Sequence, residues 1–508
     1  MMKDITFTDP QVVITKNGQP WTDGTAAFDG PVTFTTTGNG VYTTDTKLVL
    51  SPVSGVAGDP LPLTMSVTVT ERPYTFKGTG TEEDPYIVDS ALALYQMAKS
   101  DMVRNSTGKF YKQTADIDMT GVNWTPIGEA KLEYGNVKIN ASQTFKGTYD
   151  GNGFKISHLV VRAEDKFGVG LFGTVSNGTI KNVTLDSTCS FRVGSYSGAI
   201  VGMTEKATIL NCRSEANIYA AVNSDGQTGA RASTGGIVGV ASGTTIQSCE
   251  NYGNVSGNTD AGGWGFTGAQ FVGGIVANAT CAEILDCHNY GDVRGGISVG
   301  GIAGTVTGTT MGKALVIGCS NQGKISSSYS ASADKFSTAC GATGGIAGSS
   351  GSDCTIEGCY NTGEITSDWP GVGGLVGVPS LTTIANCYAV GPVSCLNTSE
   401  WSSCAGTIFG YIPALNGTVT FDALYYSKQG VTEPFGINDY SGTLQEPILR
   451  TTDAMKSGSF LNALQNYTTI ELISTVWAED TEHTNNGFPV IVGVREKQDY
   501  HKQITEFK

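Results

Sequence analysis

The sequence predicts an all-β protein: a right-handed parallel β-helix of about eight coils, with terminal caps and a small N-terminal β-sandwich domain. Three observations predict this fold. The chain has 68 glycines and only 15% charged residues, a composition typical of turn-rich β proteins. Its apolar runs have the length and residue types of strands. A glycine-rich motif returns at intervals of 27 to 44 residues, which is typical of solenoids.

The repeat consists of two short apolar runs separated by polar turn residues. One copy begins at Gly235 with GGIVG and continues with a second run through Cys249 and Asn251; both runs return from Gly273 onward. The glycine-rich run begins at Gly170, Gly198, Gly235, Gly273, Gly300, Gly344, Gly373 and Gly406. We expect two or three strands per coil. We also expect each coil to bury its apolar faces against the neighbouring coils.

Positions that recur in every coil are expected to stack into ladders. Val183 and Leu159 occupy the cysteine slot in two early copies, so we interpret the cysteines there as buried, reduced hydrophobic residues. The cysteine ladder comprises Cys212, Cys249, Cys287, Cys319, Cys359 and Cys387. A second ladder, expected to pass amide hydrogen bonds between coils, comprises Asn251, Asn289, Asn321 and Asn361.

These copies resemble the GLUG repeat of bacterial surface proteins, which also forms the non-catalytic repeat region of IgA-specific metalloendopeptidases. The flanking segments are similar to those of such domains in gut Bacteroidetes, at 78–87, 111–119, 124–128, 145–153, 455–460, 477–480 and 486–490. The resemblance covers about residues 76–495. It implies a β-helix on a bacterial surface, but the HExxH motif of those peptidases is absent from this sequence, so the resemblance does not imply proteolysis.

Four regions are expected along the chain. Residues 1–73 read as an Ig-like β-sandwich spacer, because alternating apolar runs are separated there by NGQP, TGNG and AGDP turns. Residues 74–158 are interpreted as the N-terminal cap and the entry of the β-helix, 159–425 as the repeat coils, and 426–508 as the C-terminal cap.

Helices are expected in both caps. Apolar residues at helical spacing, from Ala91 to Met102, predict an amphipathic helix with Asp89 or Ser90 as its N-cap. At the other end, Asp453 is expected to cap a helix reaching Leu464, with Trp477 and Phe488 covering apolar surface beyond it.

Charge and hydropathy disfavour two partner classes. The formal charge is −15, with 46 acidic against 31 basic residues, and no basic cluster suits a nucleic acid. No apolar stretch approaches the length of a membrane helix, so membrane insertion is not expected. The first residues lack the apolar core of a secretion signal; we expect a cell-surface or extracellular protein whose leader has been removed.

The cysteines and histidines do not predict a metal site. No CxxC pair accompanies histidines at ligand spacing, and we expect neither a metal ion nor a cofactor. Six cysteines lie outside the ladder. Among these, Cys395 and Cys404 are near enough in sequence to form a disulfide bond, with a free pair as the open alternative.

The enzymes that share this fold need neighbouring carboxylates, and the repeat does not predict them. The position after the turn glycine runs Asn254, Asp292, Lys324, Glu364 and Pro392, so acids do not recur on adjacent coils. We predict no catalytic residue. A polysaccharide lyase or hydrolase with carboxylates on its loops, and a purely structural stalk or fibre component, remain the alternatives.

Long connections are expected to project from one corner of the coils and carry the function. Aromatic side chains there suit stacking on sugars or anchoring a protein, such as a host or bacterial surface protein. Packing back onto the neighbouring coil is the alternative. The candidate binding residues are Tyr219, Trp264, Phe266, Tyr329, Phe336, Trp369 and Trp401.

Overall fold

The computed structural model describes residues 74–496 and five short strands before them. The gaps within 74–496 are 134–135, 165, 221–231, 258–268, 329–340, 369, 397–404, 414–418, 429–430, 432, 440–445, 469–470 and 472. The early strands are Met2–Thr6, Val12–Lys16, Gln19–Pro20, Val32–Thr36 and Val49–Pro52. They pair antiparallel in two small sheets. Their packing into a sandwich stays a prediction.

The predicted parallel β-helix is confirmed. In one coil the chain runs through Val238–Ser242, Thr245–Gln247, Glu250–Asn251, Val255–Ser256 and Ala269–Gly273, and each strand pairs in parallel with its counterpart in the next coil. The coil therefore has five short strands, and the expected two or three was wrong. Ser248 shows the reason for one of the breaks: its backbone is left-handed (φ 50°), which bends the chain between the second and third strands.

Stacking of the coils produces four long sheets. Sheet A contains Phe172–Ser176, Val201–Glu205, Val238–Ser242, Val276–Thr280, Ala303–Thr307, Ala347–Ser350, Val376–Val378, Phe409–Ile412 and Phe435–Asn438. Sheet C contains Val160–Ala163, Ser190–Val193, Asn217–Ala220, Val255–Ser256, Val293–Gly295, Ile325–Ser327, Ile365–Ser367 and Val393–Cys395. Sheet D contains Ser197–Gly198, Ala232–Gly235, Ala269–Gly273, Ser298–Gly300, Ala342–Gly344, Val372–Gly373 and Ala405–Gly406.

Sheet B combines the second and third strands of each coil. It contains Tyr86–Val88, Phe110–Gln113, Ile117–Asp118, Thr148–Asp150, Lys155–Ser157, Thr179–Lys181, Thr184–Leu185, Thr208–Leu210, Arg213–Ser214, Thr245–Gln247, Glu250–Asn251, Glu283–Leu285, His288–Asn289, Ala314–Ile317, Ser320–Asn321, Cys354–Glu357, Tyr360–Asn361, Thr382–Ala389, Thr420–Tyr426 and Ile448–Leu449. Two antiparallel hairpins, Ala130–Glu133 with Asn136–Ile139 and Ile473–Ala478 with Val490–Glu496, complete the strands that the structure describes after residue 73.

The interior is divided into two apolar cores. The main core, between sheets A and B, includes Ile237, Ile246 and Cys249, all fully buried. A smaller core between sheets C and D includes Val255 and Val272. Each coil therefore buries apolar side chains on both sides of a narrow waist.

The N-terminal end is closed by two short helices, Ala91–Met97 and Ser100–Arg104. The Ser90 hydroxyl accepts a hydrogen bond from the N–H of Ala93, as an N-cap does, and Leu94 is buried in the main core. The single helix expected as far as Met102 is interrupted because Lys99 has an extended backbone (ψ 139°).

The C-terminal helices are Thr452–Met455 and Gly458–Gln465. The structure therefore has two short helices where a single helix was expected. Thr451 and Ser457 are their N-caps, so the prediction that Asp453 would be the cap was wrong; Asp453 lies in the first turn instead.

The C-terminal segment, residues 451–496, lies along the outer flank of the last coils. Trp477 and Phe488 are buried, as expected, and their rings lie beside the Tyr388 ring on the outer side of sheet B. A Cβ atom on Gly358 would stand 1.9 Å from Oγ1 of Thr475, so glycine at this position lets the hairpin approach the coil. The segment therefore covers the side of several coils, where a cap over the end was expected.

Candidate binding groove

The six ladder cysteines occupy successive coils in the main core, and all are buried. Each thiol lies near a carbonyl oxygen of the preceding coil, for example Sγ of Cys287 at 3.5 Å from the oxygen of Ile246. All six are free thiols, and burial raises the pKa of Cys212 well above its usual value. These side chains pack as small hydrophobic residues.

The four ladder asparagines form a continuous chain of side-chain hydrogen bonds inside the solenoid. Asn251 Nδ2 donates to Asn289 Oδ1 at 2.8 Å, Asn289 donates to Asn321 at 2.7 Å, and Asn321 donates to Asn361 at 2.8 Å. The same amides donate to the carbonyl oxygens of the turn glycines, as Asn251 does to Gly253 at 2.8 Å. This polar ladder lies at the waist between the two cores.

The long connections all begin and end at the corner between sheets C and D. Their described ends are Ala220 and Ala232, Gly257 and Ala269, Ser328 and Gly341, and Leu396 and Ala405. Six of the seven candidate binding residues lie outside the described residues: Trp264, Phe266, Tyr329, Phe336, Trp369 and Trp401. The seventh, Tyr219, lies in a strand of sheet C beside this corner and is 43% exposed.

Tyr219 lines a groove of about 440 Å³ on the outer face of sheet C. Two rows of outward-facing side chains form its walls and follow the axis of the solenoid. One wall consists of Val160, Ser190, Asn217 and Asn254, and the other of Arg162, Arg192, Tyr219 and Ser256. With parallel strands about 4.8 Å apart, a groove over four coils is about 14 Å long.

The second wall is positively charged. Arg192 forms an ion pair with Glu164 and places its guanidinium 5.4 Å from the centre of the Tyr219 ring. Arg162 is exposed in the preceding coil, and within the described part of the chain it has no ion-pair partner. Two guanidinium groups and one exposed aromatic ring therefore line one side of the groove.

The first wall is held by hydrogen bonds between coils. Asn217 Oδ1 accepts from the N–H of Asn254 at 3.0 Å, and Asn254 Oδ1 accepts from the N–H of Asp292 at 3.2 Å. Further along the same row, Lys324 pairs with Glu364 at 2.9 Å. Lys324 thus lies between the two acids of this row and is paired with one of them.

One arrangement that the sequence reasoning missed is an Asp-His-Ser chain on the outer side of sheet B. His288 Nε2 lies 3.4 Å from Asp286 Oδ1, and its Nδ1 lies 2.8 Å from Ser320 Oγ. His288 and Ser320 both follow a ladder cysteine, so aligning the repeats would have placed them together. Ser320 is only 1% exposed, so its hydroxyl connects two coils and is not open to a substrate.

Cys395 is disulfide-bonded, and Cys404, its expected partner, lies outside the described residues. No cluster of three or more His, Cys, Asp or Glu side chains suited to a metal ion occurs in the part of the chain that the structure describes. Among the described helices, none has the length and apolarity needed to cross a membrane.

Comparisons with known proteins return partial likenesses, and no family model matches the chain. Over 212 residues, or 37% of the chain, it is 32% identical to Halomucin of Haloquadratum walsbyi, and the match covers 2% of that protein. Over 117 residues, or 21% of the chain, it is 34% identical to an Evansella cellulosilytica protein provisionally named a Gly-rich membrane protein, of which 12% is covered. The chain therefore spans a small part of the curated relatives that it matches.

Among solved structures, the fold aligns with the crystal structure of a Bacteroides ovatus protein provisionally assigned as an immunoglobulin A1 protease. The alignment covers 82% of this chain and 94% of the other, with a TM-score of 0.40 and 18% sequence identity.

Proposed function

We propose that this chain is an exported, cell-surface β-helix that acts as an adhesin or as a glycan- or protein-binding module, without catalysing a reaction. The observation that carries the proposal is the arrangement of the long connections, whose described ends all lie at the corner between sheets C and D. Variable loops aligned on one side of a rigid solenoid are where such scaffolds commonly bind their partners. A groove with the exposed Tyr219 lies beside this corner, and its position supports the proposal that this side of the solenoid is the binding face.

Two observations support a location outside the cytoplasm. Cys395 is disulfide-bonded, and structural disulfides persist mainly in oxidising compartments. The likeness to Halomucin, and to a protein named as a membrane protein, also favours the cell surface.

Arrays of glycans and of host and bacterial surface proteins test the proposal directly. We expect the intact chain to be captured by at least one class, and the double variant Trp264→Ala, Trp401→Ala to lose capture while its melting temperature is unchanged. Met311→Ala is the control, because Met311 is 91% exposed near the corner between sheets A and B. Unchanged capture by the tryptophan variant would remove the loops from the binding face.

The same arrays separate the proposal from its alternatives. A stalk or fibre component would be captured by none of the probes. A carbohydrate-active enzyme would shorten polysaccharides during incubation, and would lose that turnover when loop carboxylates are replaced.

A further inference from the structure

We infer that the groove on sheet C binds a carboxylated sugar unit, with Arg162 holding the carboxylate and Tyr219 stacking on the ring. This inference rests on the proposed binding function and names the ligand class for one site.

The charge of the groove points to an anionic ligand. The whole chain carries a formal charge of −15, yet the charged residues among those that line the groove are Arg162 and Arg192. Arg192 is already engaged with Glu164, whereas Arg162 is exposed without an ion-pair partner among the described residues. A guanidinium presents two parallel N–H donors to a carboxylate, which makes Arg162 the expected contact for an acid group.

The position of Tyr219 points to a flat, partly apolar ligand. Its strand partner in the preceding coil is Arg192, which lies over the ring, and its partner in the next coil is Ser256, a small residue. Tyr219 is 43% exposed, and the small Ser256 side chain leaves room beside the ring on that side. The apolar face of a sugar ring suits this space, because tyrosine combines a hydrophobic face with a polar edge.

The opposite wall supplies polar groups for hydroxyls. The Asn217 and Asn254 side chains use their carbonyl oxygens to accept backbone N–H groups, so each side chain is held in place and still has an amide N–H₂ group that can donate to a ligand hydroxyl. Exposed Val160 (44%) gives the end of the groove nearest Arg162 an apolar patch. Over about 14 Å, the groove offers a row of contacts for a short acidic oligosaccharide.

An acidic peptide such as poly-glutamate offers the same charge but lacks a saturated ring that could stack on Tyr219. The space beside the Tyr219 ring therefore favours a glycan over a peptide as the ligand. Binding of an acidic peptide is one of the outcomes that the test distinguishes.

Isothermal titration of the full chain with three defined glycans and one acidic peptide tests this inference. The probes are a de-esterified oligogalacturonate, its methyl ester, and sialyllactose; poly-glutamate is the peptide arm. We expect one of the two acidic glycans to bind, the neutral ester to bind at least tenfold more weakly, and the affinity to fall as salt rises. Which acidic glycan binds distinguishes a uronate from a sialate.

Three variants locate the site. Arg162→Ala and Tyr219→Ala should each weaken binding of the acidic glycan at least tenfold, and Arg162→Lys should restore only part of the affinity. Arg294→Ala is the matched control, since Arg294 is an exposed arginine in the same outward row, two coils beyond Tyr219 and outside the groove. All four variants change exposed side chains, and equal melting temperatures would verify that they fold.

The outcomes separate this inference from the proposed function. Equal binding of the ester, equal loss in Arg294→Ala, or binding of poly-glutamate alone would overturn the carboxylated-sugar site. If Arg162→Ala and Tyr219→Ala bind normally while the Trp264 and Trp401 variant loses capture, the binding module stands and the groove fails. If no glycan or surface protein is captured at all, both fail.

Discussion

Gly236 lies directly against the side chain of Asn251: a Cβ atom at Gly236 would stand 2.6 Å from Cγ of Asn251. The same relationship recurs in the next coils, where Gly274 lies against Asn289 and Gly301 against Asn321. The second glycine of each GGIVG-type run and the asparagine of the following run are therefore one structural unit. It closes the waist between the two cores, and it explains why both residues recur together.

Gly274→Ala is expected to destabilise the fold strongly. The new methyl group would stand 2.1 Å from the oxygen of Gly301 and 2.3 Å from Cγ of Asn289, and neither neighbour can retreat without disturbing the next coil. We expect a loss of about 2–4 kcal/mol in the free energy of unfolding, measured by denaturant titration. Gly458→Ala is the control: no atom of the described residues lies within 4 Å of a Cβ atom placed at Gly458, at the start of a helix, so the substitution should be neutral or slightly stabilising.

Asn289→Leu tests the polar ladder. It leaves the Asn251 amide without its side-chain acceptor and Asn321 Oδ1 without its donor, and both groups are fully buried. The expected loss is about 2–4 kcal/mol, because each orphaned buried polar group costs about 1–3 kcal/mol. Cys287→Val, two residues earlier and equally buried, should cost less than about 1.5 kcal/mol because it keeps an apolar side chain of similar size. Equal losses in the two variants would show that the ladder adds nothing beyond packing.

Thiol labelling should separate the described cysteines by burial. The ladder thiols are fully enclosed, so iodoacetamide does not reach them in the folded chain, and burial also raises the pKa of Cys249 and Cys319 well above the usual value. Cys281 is half-buried at a corner of the coil, with its Sγ 3.1 Å from Oγ1 of Thr309. Brief iodoacetamide treatment followed by peptide mass spectrometry should modify Cys281 and spare the ladder until the protein is unfolded. Rapid native modification of Cys249 would contradict the packing described above.

Asp480 should make the C-terminal segment sensitive to acid. Burial opposes ionisation of Asp480, but hydrogen bonds from the N–H groups of Gly487, Asn485 and Thr484 outweigh it and hold the pKa of the carboxyl below 3.8. Because the folded pKa lies below the unfolded one, the stabilisation is present above pH 3.8 and is lost as the pH falls through the folded value.

Asp480→Asn should remove that stabilisation at every pH, since an amide has one acceptor oxygen for these donors. We expect the segment to lose about 1–3 kcal/mol at pH 7, seen as faster hydrogen exchange of the hairpin formed by Ile473–Ala478 and Val490–Glu496. The variant should also show a flatter fall in stability between pH 5 and pH 2 than the unchanged chain. An identical acid profile would assign the acid sensitivity to another group.

Much of the fold could be predicted because a solenoid repeats its local rules. The GGIVG run, the cysteine slot and the asparagine recur in sequence, and stacking brings equivalent positions into register, so the ladders follow from the repeat alone. The side on which the long connections emerge followed from the same alignment. The prediction of the candidate site can be compared with the structure at one residue, since only Tyr219 of the seven candidate binding residues lies within the described structure.

Two features were decided only in three dimensions. The groove depends on which outward-facing residues meet across coils of unequal length, so Arg162, Arg192 and Tyr219 become neighbours although the chain separates them. The chain from Asp286 to Ser320 through His288, by contrast, lies at recurring positions and could have been predicted by aligning the repeats. The sequence pattern of the C-terminal segment is equally compatible with a cap over the end of the solenoid. It lies along the flank because Gly358 and the tyrosines of sheet B offer a close-fitting apolar surface there, and a repeat pattern does not encode how a non-repeating segment packs against it.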